Sequence, residues 1–204
     1  MKNLQRLRDY IRAMTQLVAD AGSDEKRLLA GGEPLLAALV SHDDWLPEEF
    51  ARASPESYRQ YLLWCDPMER FCVVSFVWGP GQTTPIHDHT VWGMVGMMRG
   101  AEMCEEYAVP SPGRAMQKRA EHRVEPGQVD KVSPAIGDIH VVSNALADRP
   151  SISIHVYGAN IGAVSRHVFD AASGAPRPFV SGYNNTVLPN LWDRSGEVRA
   201  RLGL

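Results

Sequence analysis

The hydrophobic period of the chain changes once, near residue 57, and that change limits the fold more than any single motif. Before it, Leu4, Leu7, Ile11, Met14 and Leu17 or Val18 recur at three- and four-residue steps, the stripe of an amphipathic helix. Gly22-Ser23-Asp24 breaks that helix and offers a cap for the next, whose stripe is Leu28, Leu29, Leu36, Leu39 and Val40. Pro34 is expected to kink or split this second helix. Ser54-Pro55-Glu56 has the cap-then-proline form of at most one more short helix.

Beyond that point the pattern is that of short strands between turns. Tyr58 to Trp64 and Phe71 to Trp78, joined by Asp66-Pro67-Met68-Glu69, form a hairpin candidate. Further candidates are Val91–Arg99, Glu102–Val109, Val129–Val132, Ile139–Ser143, Ser151–Tyr157 and Ser165–Phe169, separated by Gly and Pro. Residues 110–125 are polar and are expected to be a surface loop. Many short strands at regular spacing argue for a sandwich or barrel. The expected organisation is one domain over 1–204, with helices in 1–56, a barrel in 57–170 and a wrapping segment in 171–204.

Several function classes are disfavoured by what the chain lacks. Its net charge is −3 with no basic run, which does not suit nucleic acid or an anionic membrane. No apolar run approaches the roughly 18 residues of a membrane helix. Met1 to Asp20 has no continuous apolar core of a secretory signal, so a cytoplasmic location is expected. Cys65, Cys72 and Cys104 form no C-x-x-C pair, which fits free thiols in a reducing compartment. Serine and histidine are close near residue 153, but no G-x-S-x-G elbow accompanies them, so hydrolase chemistry is weakly supported.

The sharpest local feature is Pro85-Ile86-His87-Asp88-His89. On a strand, His87 and His89 face the same side. The pair alone does not separate a metal site from two satisfied histidines. Its setting adds to it: Gly81 lies six residues before His87, Gly100 lies eleven after His89, and Gly137-Asp138-Ile139-His140 with Asn144 follows downstream. Together these resemble the two signature motifs of the cupin superfamily. That resemblance implies a mostly β fold, a double-stranded β-barrel (jelly roll) with an N-terminal group of α-helices. It also implies one metal held by His87, His89 and His140. A cupin usually has a glutamate four or five residues after the second histidine, whereas Thr90-Val91-Trp92-Gly93-Met94 offers no carboxylate. Three neutral ligands on one face leave adjacent positions open, and the more positive site favours an anionic ligand such as a thiolate.

Ser151-Ile152-Ser153-Ile154-His155-Val156-Tyr157 places Ser153, His155 and Tyr157 on one strand face. The row suits either a hydrogen-bond relay ending in a phenol or the polar outer face of any half-buried strand. With the three histidines, it resembles the cysteine-dioxygenase family of thiol dioxygenases, from about Asp43 to Trp192. The resemblance implies Fe(2+) as cofactor. It also implies a small-molecule thiol and O2 as partners and a sulfinic acid as product, with no further cofactor. Tyr157, His155 and Ser153 would then be the catalytic row.

Within the family, three departures from the mammalian type are similar to the bacterial 3-mercaptopropionate dioxygenase branch. Gln60, with Arg59 as its rival in register, stands where an arginine holds the substrate carboxylate. Gly93 stands where a cysteine is linked to the tyrosine, which leaves Tyr157 a free phenol. Gly158-Ala159-Asn160 stands where Ser-Pro-Pro follows that tyrosine. Gln60, Arg166 and Tyr157 are therefore the candidate substrate-binding residues. Arg166 is either a charge at the pocket mouth or an ordinary surface arginine. Cysteine dioxygenation, another cupin reaction with the same three histidines, and a non-catalytic metal-binding cupin used as a ligand sensor are the rival readings.

Overall fold

The computed structural model describes residues 4–111, 113–185 and 193–204. Pro112, in the expected loop, and Trp192, at the end of the family resemblance, lie outside these. Among the described residues two helices, α1 (Leu4–Ala21) and α2 (Glu25–Val40), precede ten strands, and α3 (Ser195–Leu202) follows them. Gly22 joins the first two helices at a positive φ, and Asp24 caps α2 by accepting from the Arg27 N–H at 3.1 Å.

The strands are β1 (Arg59–Cys65), β2 (Cys72–Trp78), β3 (Gly93–Arg99), β4 (Glu102–Tyr107), β5 (Lys118–Val124), β6 (Val129–Val132), β7 (His140–Asn144), β8 (Ser151–Tyr157), β9 (Arg166–Phe169) and β10 (Pro176–Phe179). They form a five-stranded sheet in the order β1-β2-β8-β3-β6, a three-stranded sheet β5-β4-β7, and the pair β10-β9. Isolated bridges at Thr83–Ser143, His87–His140 and His87–Val168 tie the segment before His89 between β7 and β9. This is the expected mostly β architecture with helices ahead of it.

The helices cover the outer face of the larger sheet. Met14, Leu36, Leu39 and Trp45 pack with Met94 of β3 and Ile152, Ile154 and Val156 of β8. The approach is close because two positions lack a side chain. A Cβ on Gly32 would lie 2.4 Å from Met94 Cε, and one on Gly96 would lie 2.8 Å from Leu36 Cγ. At the β3–β4 corner, Gly100 takes φ +74°, a conformation that L side chains rarely adopt.

Several expectations need correction. Pro34 does not split α2, which is one helix from Glu25 to Val40. No helix forms at Ser54-Pro55-Glu56. The Ser54 hydroxyl there accepts from the Glu56 N–H and from Arg59, and a short 3-10 turn sits earlier, at Glu48–Phe50. Residues 110–125 are not all loop: Lys118–Val124 is β5, an edge strand paired with β4. The backbone ladder holds this strand although most of its side chains are exposed. His87 and His89 lie on an extended segment that forms isolated bridges, since Pro85 has no N–H for a continuous ladder. In the last segment, Pro176–Phe179 pairs with β9 and extends the sheet edge.

Candidate active site

His87 and His140 are joined by two backbone hydrogen bonds, N–H to C=O in each direction at 3.1 Å. This narrow pair brings both rings to one side, and His89 follows two residues on. The ring centroids are 4.8–4.9 Å apart, and the ligand nitrogens lie within 4.8 Å of one another. Each ring is held by its Nδ1. His87 Nδ1 is 3.0 Å from Pro85 O, His89 Nδ1 is 3.0 Å from Asp138 Oδ1, and His140 Nδ1 is 3.5 Å from Cys104 Sγ. The Nε2 edges are thereby left for one shared ligand, and His89 Nε2 is buried with no hydrogen-bond partner. Burial above all keeps these imidazoles well below the usual histidine pKa, with His89 and Arg166 adding to it at His87, Arg166 at His89, and His87 and His89 at His140. They are neutral, as metal ligands must be. An orphaned nitrogen among three neutral, oriented imidazoles fits one divalent metal ion.

No carboxylate completes the set, and the reason is spatial. Gly93 pairs with Tyr157 across β3 and β8. A Cβ there would lie 2.8 Å from Tyr157 Cδ1 and 3.0 Å from Val132 Cγ2. The tyrosine ring stacks on His89 at 5.3 Å and fills that side of the site.

Ser153, His155 and Tyr157 form a continuous chain. Ser153 Oγ is 2.8 Å from His155 Nε2, and His155 Nδ1 is 2.8 Å from Tyr157 Oη. All three are buried, so this is not a polar outer face. Phe76 stacks on the His155 ring at 4.0 Å, and Trp78 Nε1 donates to Ser153 Oγ at 3.4 Å. Burial pushes the Tyr157 phenol up, which keeps it a hydrogen-bond donor at neutral pH.

A cavity of about 90 Å3 adjoins the metal trio. Tyr58, Phe76 and Trp78 form an aromatic wall, with Tyr58 and Trp78 centroids 4.6 Å apart. Gln60 reaches the cavity, and its amide donates to Gly182 O at 2.9 Å. Arg59, its rival in register, instead binds Ser54 and Glu56 and is not part of the lining. Arg166 is not at the surface: it is 4% exposed, lies over the Phe179 ring and donates to Ser181 Oγ at 2.8 Å. Among the described residues its Nε has no partner and it forms no salt bridge. Asp88, a carboxylate that acts on it, is held by His167 at 2.8 Å. The cavity lining contains no Asp or Glu.

Residues 9–170 match the family described as Cysteine dioxygenase type I. The chain belongs to that family. It is 25% identical to the zebrafish (Danio rerio) cysteine dioxygenase type 1 over 159 residues, 76% of this chain and 71% of the relative. Among solved structures it is similar to a double-stranded β-helix protein of Klebsiella pneumoniae, at 18% identity and TM-score 0.43, over 59% of this chain and 95% of the other. A Thermus thermophilus protein gives 20% identity and TM-score 0.41, over 55% and 92%. As a member of the cysteine dioxygenase type I family, the chain is a thiol dioxygenase. It is a metal-dependent oxidoreductase acting on a small molecule and O2.

Sequence reasoning missed several residues of this site. The Tyr58–Phe76–Trp78 wall joins two strands of a hairpin and had no motif. Cys104, expected as a free thiol, is buried and stands against His140. Asp138 orients His89, and its place in Gly137-Asp138-Ile139-His140 was the available signal.

Proposed function

We propose that this chain is a ferrous thiol dioxygenase whose preferred substrate is 3-mercaptopropionate, a thiol carboxylate without an amino group. The observation that carries this is the charge inventory of the cavity: one buried guanidinium with an unpartnered Nε, and no carboxylate. A substrate carboxylate satisfies that guanidinium by a charge-assisted hydrogen bond. An α-ammonium group has no anionic partner there and would sit near Arg166 and a divalent metal. In a low-dielectric pocket such an unpaired like charge is strongly unfavourable.

An ion held by His87, His89 and His140 would supply the redox and Lewis-acid chemistry that thiolate and O2 need. Three imidazoles suit iron among other transition metals, and family membership favours Fe(2+). Arg166 and Gln60 hold and orient the carboxylate end. Tyr157 donates a hydrogen bond to the reacting end, and His155 and Ser153 set the direction of that donor. The aromatic wall excludes water. Three buried free cysteines support a reducing, cytoplasmic setting.

Oxygen uptake and sulfinate formation by the iron-loaded protein test the proposal. The highest kcat/KM is expected with 3-mercaptopropionate, below it cysteine, then cysteamine. Arg166→Gln should raise KM for 3-mercaptopropionate by about tenfold or more and leave cysteamine, which has no carboxylate, nearly unaffected. Cysteine remains the second reading, because the family match is to cysteine dioxygenase. A kcat/KM preference for cysteine would establish it.

A further inference from the structure

Glu102 of β4 is a carboxylic acid in the barrel interior, 1% exposed. Its electrostatic partners are hydroxyls: Ser151 Oγ donates to Oε1 at 3.3 Å, and the Ser153 hydroxyl faces the same carboxyl. Its register partners, Val124 of β5 and Asn144 of β7, bring no charge. On its own strand the titratable group that feels it is the Cys104 thiol, which burial holds protonated. Among the described residues no lysine, arginine or histidine pairs with it in a salt bridge. Ser153 is also the first member of the row that ends at Tyr157.

Hydroxyl and imidazole valences allow that row only two directions. Ser153 has one O–H to donate and two lone pairs, one of which accepts from Trp78. With Glu102 protonated, its O–H donates to Ser153 Oγ and Ser153 donates to His155 Nε2. His155 Nδ1–H then donates to Tyr157 Oη, and the Tyr157 O–H is free for the cavity. With Glu102 ionised, Ser153 donates to the carboxylate instead. His155 must then carry its proton on Nε2, Nδ1 accepts the Tyr157 O–H, and the phenol shows the cavity only lone pairs.

We propose that Glu102 is a positioning residue for the dioxygenase site, its carboxyl proton setting the direction of the Ser153–His155–Tyr157 row and so whether Tyr157 donates to substrate. This rests on the thiol-dioxygenase reading of the same site. Burial raises the Glu102 carboxyl to about 8, against the opposing pull of the two serines. The protonated, donating arrangement therefore holds at neutral pH and is lost as pH rises through that value.

The first measurement needs neither metal nor turnover. In the isotopically labelled, metal-free protein, nitrogen shifts of His155 should report Nδ1–H at neutral pH. They should switch to Nε2–H with the midpoint at which the Glu102 carboxyl carbon titrates. In Glu102→Gln, the amide donates to Ser153 at every pH, so His155 should stay Nδ1–H. In turnover, the parent's kcat/KM should fall about tenfold one pH unit above that midpoint, and the Glu102→Gln variant should lack that limb. The proposal is overturned if Glu102 shows no ionisation between about pH 6 and pH 10. It is also overturned if Glu102 titrates while the His155 tautomer stays fixed, or if Glu102→Gln keeps the parent's alkaline limb. A parent with no thiol-dependent oxygen uptake at any pH would sink the functional reading, and the tautomer measurement would still decide the relay.

Discussion

The two faces of β8 show how one strand can serve stability and chemistry at once. Ile152, Ile154 and Val156 point outward and are buried against α1 and α2, whereas Ser153, His155 and Tyr157 point inward and form a hydrogen-bonded row beside His87, His89 and His140. Both faces are closed to water, but they tolerate error differently. The apolar face is held by many weak contacts, any of which can shift a little. The polar face is held by two hydrogen bonds of 2.8 Å, each of which fixes the distance between two polar atoms. The helix layer thus backs a central strand whose inward face carries polar groups. It clamps the backbone from behind, with β2 and β3 on either side.

The comparison can be broken from either face. The largest expected effect comes from the metal itself: His140→Ala should leave the protein folded, with metal content near zero and thiol-dependent oxygen uptake below detection. Elemental analysis of purified protein beside a circular dichroism spectrum checks this. Next is the apolar face. Ile154→Ala should destabilise the fold by about 2–5 kcal/mol in denaturant unfolding, because the packed helices cannot close the cavity it leaves. At low temperature the same variant should still bind one metal ion. A protein that loses metal in proportion to stability would mean that the two faces are not separable. The smallest effect is on the polar face, where Tyr157→Phe should lower kcat by about 10–100-fold with metal content and stability nearly unchanged. A Tyr157→Phe protein with a raised KM and normal kcat would make the phenol a binding group only.

The same contrast explains what could be read from the sequence. Apolar alternation and Gly/Pro punctuation carry strand positions directly, and Val129–Val132 and Ser151–Tyr157 were bounded to the residue. The three histidines were legible because their spacing is short and their context recurs. Lys118–Val124 was not, since its pairing with β4 is made by the backbone while its side chains face water. Pro176–Phe179 was hidden by two prolines, which an edge strand accepts and a pattern search rejects. Glu102, Glu105 and Glu106 look alike in sequence, and only the fold buries the first of them. Arg166 was equally opaque, because an arginine's depth depends on Phe179 and Ser181, which arrive from a later segment.

Gly93 carries a last consequence. The volume in which a fourth, acidic ligand would grow from that backbone position is already taken by the ring of Tyr157. Acidic ligand and uncoupled phenol are therefore competing tenants of one space, and this barrel houses the phenol. A Gly93→Glu change would not add a ligand to the existing centre. It would displace the Tyr157 ring, so that a chain of this design cannot drift gradually from one arrangement to the other and must exchange both residues together.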